Sequence, residues 1–389
     1  LMIRRPPRST QSRSSAASDV YKRQLLGRPL YQWTLGEAIY SQLDEIFVFT
    51  DDKEIIDQVE KEYKWTPKVK ALQRSTESAS DTASTEFALK ECADRLDYNF
   101  DLICLLQATS PLTTRMDINA AIDKITKEEF DSALSVVETK RFIWSEDGKS
   151  VNYDYLHRPR RQDFDGLLIE NGAVYTSTKD QFLNTGNRIG GKIGIIKMPE
   201  DTLTEIDEIA DWHIIEKLLE NRLNKQKRGH GKIKAMVFDV DGVFTDGTVA
   251  VSGEGELFKR FSLRDGMGLE LLRNEGIIPI VMTSEDSPIV AKRMEKLKIK
   301  HAYLGVKDKF TRIESVLNQI GIKRNEVAYL GDDINDMANI SSMGWGMCPN
   351  DAILSIQNIS DLKLSFPGGD KAIRDAIEFI IKYNKKFDL

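Results

Sequence analysis

The stretch Ala235-Met-Val-Phe-Asp-Val-Asp-Gly-Val-Phe-Thr-Asp-Gly247 constrains this chain more than any other. A short apolar run, the length of a buried strand, ends in two carboxylates, Asp239 and Asp241, separated by one residue and followed by a glycine. Open α/β sheets bind their ligands at the carboxyl ends of strands, so this order places two acids at a ligand-binding edge. Three further pieces follow, each after an apolar run: Thr283-Ser284, Lys309 within Val306-Lys-Asp-Lys-Phe310, and Gly331-Asp-Asp-Ile-Asn-Asp336. One such piece alone is an ordinary acidic turn; the ordered set points to a site.

That set resembles the haloacid dehalogenase superfamily of phosphatases, from about Lys232 to Leu389. The resemblance implies that Asp239 attacks phosphorus to form an aspartyl phosphate. It implies that Asp241 protonates the leaving alkoxide and later activates water. Mg²⁺, which takes oxygen ligands, would be held by Asp239, the main-chain carbonyl of Asp241, and Asp332. Thr283 and Lys309 would hold the phosphate oxygens.

The interval from Asp239 to Thr283 is too short for a cap domain and is read as a β-hairpin, 248–251 and 256–261, turning at Ser252-Gly-Glu-Gly255. With Arg264-Asp-Gly266, this resembles the capless phosphatases of 3-deoxy-manno-octulosonate 8-phosphate and of nine-carbon sugar-acid 9-phosphates. The likeness implies a homotetramer in which one subunit's hairpin closes its neighbour's site. The octulosonate enzymes carry T-G-R-K after the second strand, where this chain has Thr283-Ser-Glu-Asp286. Glu285 in place of arginine points to the nine-carbon group, with Lys296 as its expected ion partner. Arg264, Glu285 and Lys296 are thus the substrate-facing candidates. The tail Gly368-Gly-Asp-Lys-Ala-Ile-Arg374 resembles that group's tail, with Lys371 where glycine is common.

Upstream, helical and strand patterns alternate. Helices are expected over 29–40, 53–63 and 82–95, and strands over 45–50 and 102–106, which argues a mostly parallel sheet with helices on both faces. Several strand-end segments resemble the acylneuraminate cytidylyltransferases. They are Leu25-Leu-Gly-Arg-Pro-Leu30 with Trp33, Thr50-Asp-Asp52, Arg74 with Ser80-Asp81-Thr82, Leu105-Leu-Gln-Ala-Thr-Ser-Pro-Leu112, Arg158-Pro-Arg-Arg-Gln162, Glu170-Asn-Gly-Ala-Val-Tyr175, and Glu205-Ile-Asp207 with Asp211-Trp212. The resemblance covers about Leu25–Leu223. It implies CTP and a nonulosonic acid as substrates, with Gln107, Arg161, Gln162 and Asn171 toward the sugar acid. A guanidinium pairs bidentately with a carboxylate. Glu205 and Asp207 would hold Mg²⁺ against the triphosphate.

The first residues are read differently. Ser14-Ser-Ala-Ala-Ser-Asp-Val-Tyr-Lys-Arg-Gln24 looks like the translation of a widely used transposase sequencing adapter. Leu1–Gln24 is therefore expected to be an adapter-derived, disordered stretch. It occupies the place of the family's Gly/Ser/Lys-rich phosphate loop, so CMP transfer by the chain as written is expected to be impaired.

At 389 residues the chain has room for two or three domains. A net charge of −6 gives no basis for general nucleic-acid binding, and no apolar run is long enough to span a membrane. Cys92, Cys104 and Cys348 are scattered, which suits a reducing cytoplasm. The expected architecture is α/β with two doubly wound domains. A nucleotide-diphospho-sugar-transferase-like (Rossmann-like) domain over 25–222 is followed by a polar, basic linker over 223–231 and a capless haloacid-dehalogenase-like domain over 232–389. The expected function is bifunctional: an acylneuraminate cytidylyltransferase and a Mg²⁺-dependent acylneuraminate 9-phosphate phosphatase. Two rival readings of the second domain are an octulosonate 8-phosphate phosphatase and a non-catalytic tetramerisation module. Retention of both Asp239 and Asp241 speaks against the second, since a scaffold needs neither acid.

Overall fold

The computed structural model describes residues 23–80, 82–227 and 231–387. The adapter-like stretch up to residue 22 lies outside them, as does Asp81 of the Ser80-Asp-Thr82 segment. The chain divides into two compact units: Pro29–Ile215 forms the body of one, and Glu216–Leu389 with Leu25–Arg28 forms the other.

The first unit contains α1 (Leu30–Ile39), β1 (Ile46–Thr50), α2 (Lys53–Glu62), β2 (Val69–Gln73), α3 (Thr85–Arg95), β3 (Leu102–Leu106), α4 (Arg115–Thr126), β4 (Ser132–Thr139), β5 (Leu167–Thr178), α5 (Lys179–Thr185) and β6 (Ile193–Met198). Helix starts follow local chemistry. Asp52 caps α2 by accepting from Glu54 and Ile55 N–H, and Thr114 and Asp117 form a reciprocal capping box on α4. The α/β class is as expected; among the described residues the strands of this unit fall in two sheets. β1 pairs with β2 in parallel, while a separate sheet runs β3-β5-β4-β6 with the long β5 antiparallel to both β3 and β4. Among the described residues β1 and β3 have no strand on their other sides. Both line a cavity of about 770 Å³ whose walls include Phe47, Phe49, Leu89, Ile103 and Leu105.

Helix α6 (Ile209–Gln226) follows. It carries 223–226, which the sequence pattern assigns to a linker; Leu219 and Leu223 are buried four residues apart, so one apolar stripe prolongs the helix.

The second unit holds β7 (Ala235–Phe238), the hairpin β8 (Ala250–Ser252) and β9 (Gly255–Phe258), α7 (Leu263–Asn274), β10 (Ile278–Met282), α8 (Pro288–Lys296), β11 (His301–Tyr303), α9 (Lys309–Ile320), β12 (Val327–Leu330), α10 (Met337–Ser342), β13 (Trp345–Cys348), α11 (Leu354–Ile359), β14 (Leu362–Lys363) and α12 (Ala372–Asn384). Six parallel strands run in the order β11-β10-β7-β12-β13-β14. β7 is buried on both faces, as its unbroken apolar run requires. Met236 and Phe238 enter a core with Leu272, Val290 and Ile377, and Ala235 and Val237 enter a second with Ile313, Leu317 and Ile356. Helices therefore cover both faces, and the strand order reverses at β7, where a doubly wound sheet opens its ligand crevice.

Candidate active sites

The crevice of the second unit holds the sequence-predicted acids. Asp239 leaves the end of β7 and Asp332 follows β12, and the register pairs Phe238 with both Val281 of β10 and Leu330 of β12. Thr283, just past β10, is buried and holds the chain between β10 and β11 through Thr283 N–H to Tyr303 O at 3.0 Å. Gly242 adopts φ +79°, and a Cβ there would lie 1.9 Å from Asp332 Oδ2. The glycine of D-x-D-G is therefore required twice, for its left-handed backbone and for bringing the 241–242 peptide against Asp332.

Lys309, the first residue of α9, lies fully buried between two acids, its Nζ 2.8 Å from Asp239 Oδ2 and 2.8 Å from Asp336 Oδ1. Asp336 is the member that sequence reasoning missed. It is buried, takes a hydrogen bond from Tyr329 OH at 2.7 Å, and accepts from Asp332 N–H at 3.1 Å. It lies in the same acidic segment as Asp332, and the 3-10 turn Ile334–Asp336 brings its side chain back to the site.

Carboxylate oxygens of Asp239, Asp332 and Asp336 all lie within 4.8 Å of one another, and Asp332 Oδ1 is buried without a partner. Burial pushes the Asp332 carboxyl up to about 8, with Asp336 and Asp239 adding to the rise. Burial and Asp336 likewise raise Asp239, to about 7, against the pull of Lys309. Closely spaced hard oxygens, one of them unsatisfied, fit a divalent cation such as Mg²⁺. With no ion bound, the folded state keeps protons that the unfolded chain has released. Stability should therefore fall as pH rises from the ordinary carboxylate range near about 4 toward about 8. Cation binding needs the deprotonated acids and should release protons at neutral pH. Titration calorimetry in buffers of different ionisation enthalpy counts them, and zero protons released at pH 7 would contradict this site.

Asp241 is one-third exposed and pairs with Lys259 at 2.7 Å; Lys259 also meets Glu256 at 3.2 Å. Glu256 in turn accepts from Ser287 Oγ, the residue that caps α8. Lys259 lies just after β9, so the hairpin delivers an almost fully buried ammonium that fixes the Asp241 carboxylate. If Asp241 has the expected acid–base role, Lys259→Met should lower kcat for phosphate release by about ten- to a hundredfold with little change in KM, because such catalysis depends on that orientation. Equal kcat in steady-state assays of the two chains would refute the role.

The remaining candidates of this unit are exposed. Arg264 lies in the first turn of α7 and Lys296 in the last turn of α8. The expected Glu285–Lys296 pair is not formed; Glu285 pairs with Lys307 at 3.0 Å, a residue brought across by the turn after β11.

In the first unit, Gln107 opens the turn after β3, and Ile206 N–H donates to Thr109 O at 3.1 Å, which draws the Glu205–Asp207 segment to that turn. Glu205 packs its carboxylate against Gly172 of β5. Burial raises Glu205 to about 7, with Asp207 and Glu170 adding to the rise. Glu170 also takes a hydrogen bond from Tyr175 OH. Arg161 and Gln162 stand exposed on a short 3-10 turn before β5. Asn171 differs from expectation: it is 1% exposed, accepts from Ser135 Oγ at 2.6 Å and donates to Thr202 Oγ1 at 3.1 Å. Its amide holds β5 to its neighbours and does not face a sugar. Among the described residues no helix is long and apolar enough to cross a membrane.

A family profile described as "Cytidylyltransferase" matches residues 22–230. The chain belongs to the cytidylyltransferase family. N-acylneuraminate cytidylyltransferase B of Danio rerio is 30% identical over 374 residues, covering 93% of this chain and 86% of that protein. The enzyme of Oncorhynchus mykiss is 32% identical, covering 93% and 84%. A second relationship joins the phosphatase half to 3-deoxy-D-manno-octulosonate 8-phosphate phosphatase of Haemophilus influenzae, 35% identical over 154 residues, which cover 40% of this chain and 86% of that one. A solved phosphatase of that name from Moraxella catarrhalis matches at 32% identity over 43% of this chain and 95% of its own, with a TM-score of 0.39. This cytidylyltransferase-family chain is thus an enzyme of two classes, nucleotidyltransferase and phosphomonoester hydrolase.

Proposed function

We propose that the chain frees and then activates a nonulosonic acid. The second unit hydrolyses a nine-carbon 2-keto-3-deoxy acid 9-phosphate, and the first transfers CMP from CTP to the free acid. The observation that carries the phosphatase reading is the buried Lys309 ammonium seated between Asp239 and Asp336, with Asp332 facing them. Asp239 Oδ attacks phosphorus, and the sugar alkoxide leaves with a proton from Asp241. Asp241 then takes a proton from water, whose oxygen attacks the aspartyl phosphate, releasing inorganic phosphate and regenerating Asp239. Lys309 and Thr283 hold the phosphoryl oxygens. Mg²⁺ held by Asp239, Asp332, Asp336 and the Asp241 carbonyl would offset the negative charge crowded there.

In the first unit, Glu205 and Asp207 would hold Mg²⁺ for the triphosphate, Gln107 lies at the same edge, and Arg161 and Gln162 would meet the acid's carboxylate and hydroxyls. The exposed Val251, Leu257 and Phe258 on the hairpin support a homotetramer built through it. Three free cysteines suit a reducing cytoplasm.

Glu285 removes the positive charge that the octulosonate enzymes present, which favours the nine-carbon substrate. The test incubates the full chain with Mg²⁺ and each phosphorylated acid, then with CTP and the free acid. Higher kcat/KM on the nine-carbon phosphate is expected, with detectable CMP-sugar. A preference for the eight-carbon substrate sinks the subgroup assignment, and release from neither sinks the phosphatase reading.

A further inference from the structure

Leu25–Arg28, remote in sequence from the rest of the second unit, folds as part of it. Leu25 is fully buried, and Leu26 N–H donates to Glu216 Oε1 at 3.2 Å. Gly27 stands at φ +75°, so close to the Ile334 carbonyl that a Cβ would lie 1.7 Å from its oxygen. Ile334 sits in the loop between Asp332 and Asp336. The next residue, Arg28, is 4% exposed and forks onto Asp308: Nε donates to Oδ1 and Nη2 to Oδ2, each at 3.1 Å. Nη2 also donates to Thr311 Oγ1 at 2.8 Å, and the guanidinium carbon lies 4.6 Å from the centre of the Phe310 ring. Asp308 is the residue that caps α9, accepting from Thr311 N–H at 3.2 Å, and Lys309 follows it directly.

We propose that Leu25–Arg28 is a positioning strap of the phosphatase site. Arg28 acts through Asp308 on Lys309, and Gly27 acts through Ile334 on the loop that carries Asp332 and Asp336. The proposal rests on the phosphatase reading of those carboxylates.

The physical reason lies in what each contact fixes. A lysine ammonium is a point charge on a flexible stem, so its place between Asp239 and Asp336 depends on where α9 begins. That start is set by Asp308, a 1% exposed carboxylate whose position is fixed by a planar bidentate partner. Take the guanidinium away and the buried carboxylate loses its bidentate cation, which lets the helix start shift with it. At the other contact, a methyl group on Gly27 has no room unless the Ile334 peptide moves. Both shifts reach groups that hold phosphate or cation, and neither Arg28 nor Gly27 touches substrate.

The test uses the full chain with Arg28→Ala, Arg28→Lys or Gly27→Ala. One arm measures kcat and KM for phosphate release; the other measures Mn²⁺ affinity by electron paramagnetic resonance, with no substrate present. Arg28→Ala should lower kcat by about ten- to a hundredfold, the scale of a displaced catalytic group, while KM moves by less than about threefold. Millimolar guanidinium should restore part of that loss by refilling the vacated space. Arg28→Lys keeps the charge without the fork, and should show a smaller loss; it decides the matter if the alanine chain does not fold. Gly27→Ala should weaken Mn²⁺ binding by about tenfold, as disturbed support of metal ligands does. An Arg28→Ala or Arg28→Lys chain with wild-type kcat overturns the strap, as does a loss that guanidinium leaves unrelieved, or wild-type Mn²⁺ affinity in Gly27→Ala. If the unsubstituted chain hydrolyses neither a sugar-acid phosphate nor p-nitrophenyl phosphate, the phosphatase reading fails, and the Mn²⁺ arm still decides the strap.

Discussion

Asp239→Asn is expected to abolish measurable turnover of the sugar-acid phosphate, a fall of several orders of magnitude, as for other covalent nucleophiles. Asparagine keeps the shape of the side chain and loses the nucleophilic oxygen. The same change should not unfold the protein. Burial already holds the Asp239 carboxyl above its usual range, to about 7, with Asp336 adding to the rise, so a neutral amide relieves a cost that the folded state carries. The ion-free variant should therefore match or exceed the wild type in thermal stability above about pH 5, where an unperturbed carboxylate is ionised. Acid-quenched chain incubated with ³²P-labelled substrate should retain label in the wild type and none in the variant. Turnover surviving the Asp239→Asn change would sink the nucleophile assignment.

Lys309→Met carries the second large effect and reaches stability as well as rate. Lys309 is fully buried against Asp239 and Asp336 at 2.8 Å from each, and its removal leaves two buried acids without that ammonium. Breaking a buried pair from one side costs roughly 3–5 kcal/mol. Denaturant melts of the ion-free chain should show a loss of that order, and Mg²⁺ should restore part of it by supplying positive charge to the same oxygens. Phosphate release should fall by about a hundred- to a thousandfold, the scale of losing one fixed electrostatic donor. An ion-free melt identical to the wild type would mean that Lys309 is not paired as described.

The site was legible where chemistry is local. An apolar strand followed by D-x-D-G placed Asp239, and the acid after β12 placed Asp332, because a parallel sheet aligns strand ends by register. Asp336 lies in the same acidic segment, yet nothing local says that a turn will fold its side chain back beneath Asp332. Lys259 was out of reach: the hairpin carries it to Asp241 through the fold, and no spacing rule links 241 with 259. The Glu285 partner failed for the same reason, as Lys307 and Lys296 stand equally plausibly in sequence. Asn171 failed because strand alternation breaks down there. Its pairing with β4 is irregular between Leu134 and Val136, and β5 is buried without alternation from Asn171 to Ser177. Lys371, noted as standing where glycine is common, sits at φ +76°, a left-handed conformation that the tail pattern by itself did not announce.

The divided sheet of the first unit has a material consequence. Among the described residues β1 and β3 each end their sheets beside the cavity of about 770 Å³. A strand at a sheet's edge turns a row of backbone donors and acceptors outward, and native proteins blunt such edges with charge, proline or cover. β1, Ile-Phe-Val-Phe-Thr, and β3, Leu-Ile-Cys-Leu-Leu, contain none of these blunting residues. They form templates for an extended segment from a neighbouring molecule, and the cavity between them has room for its side chains. At high concentration such edges favour strand exchange between molecules, reciprocal swapping leading to closed dimers and head-to-tail capture to fibres.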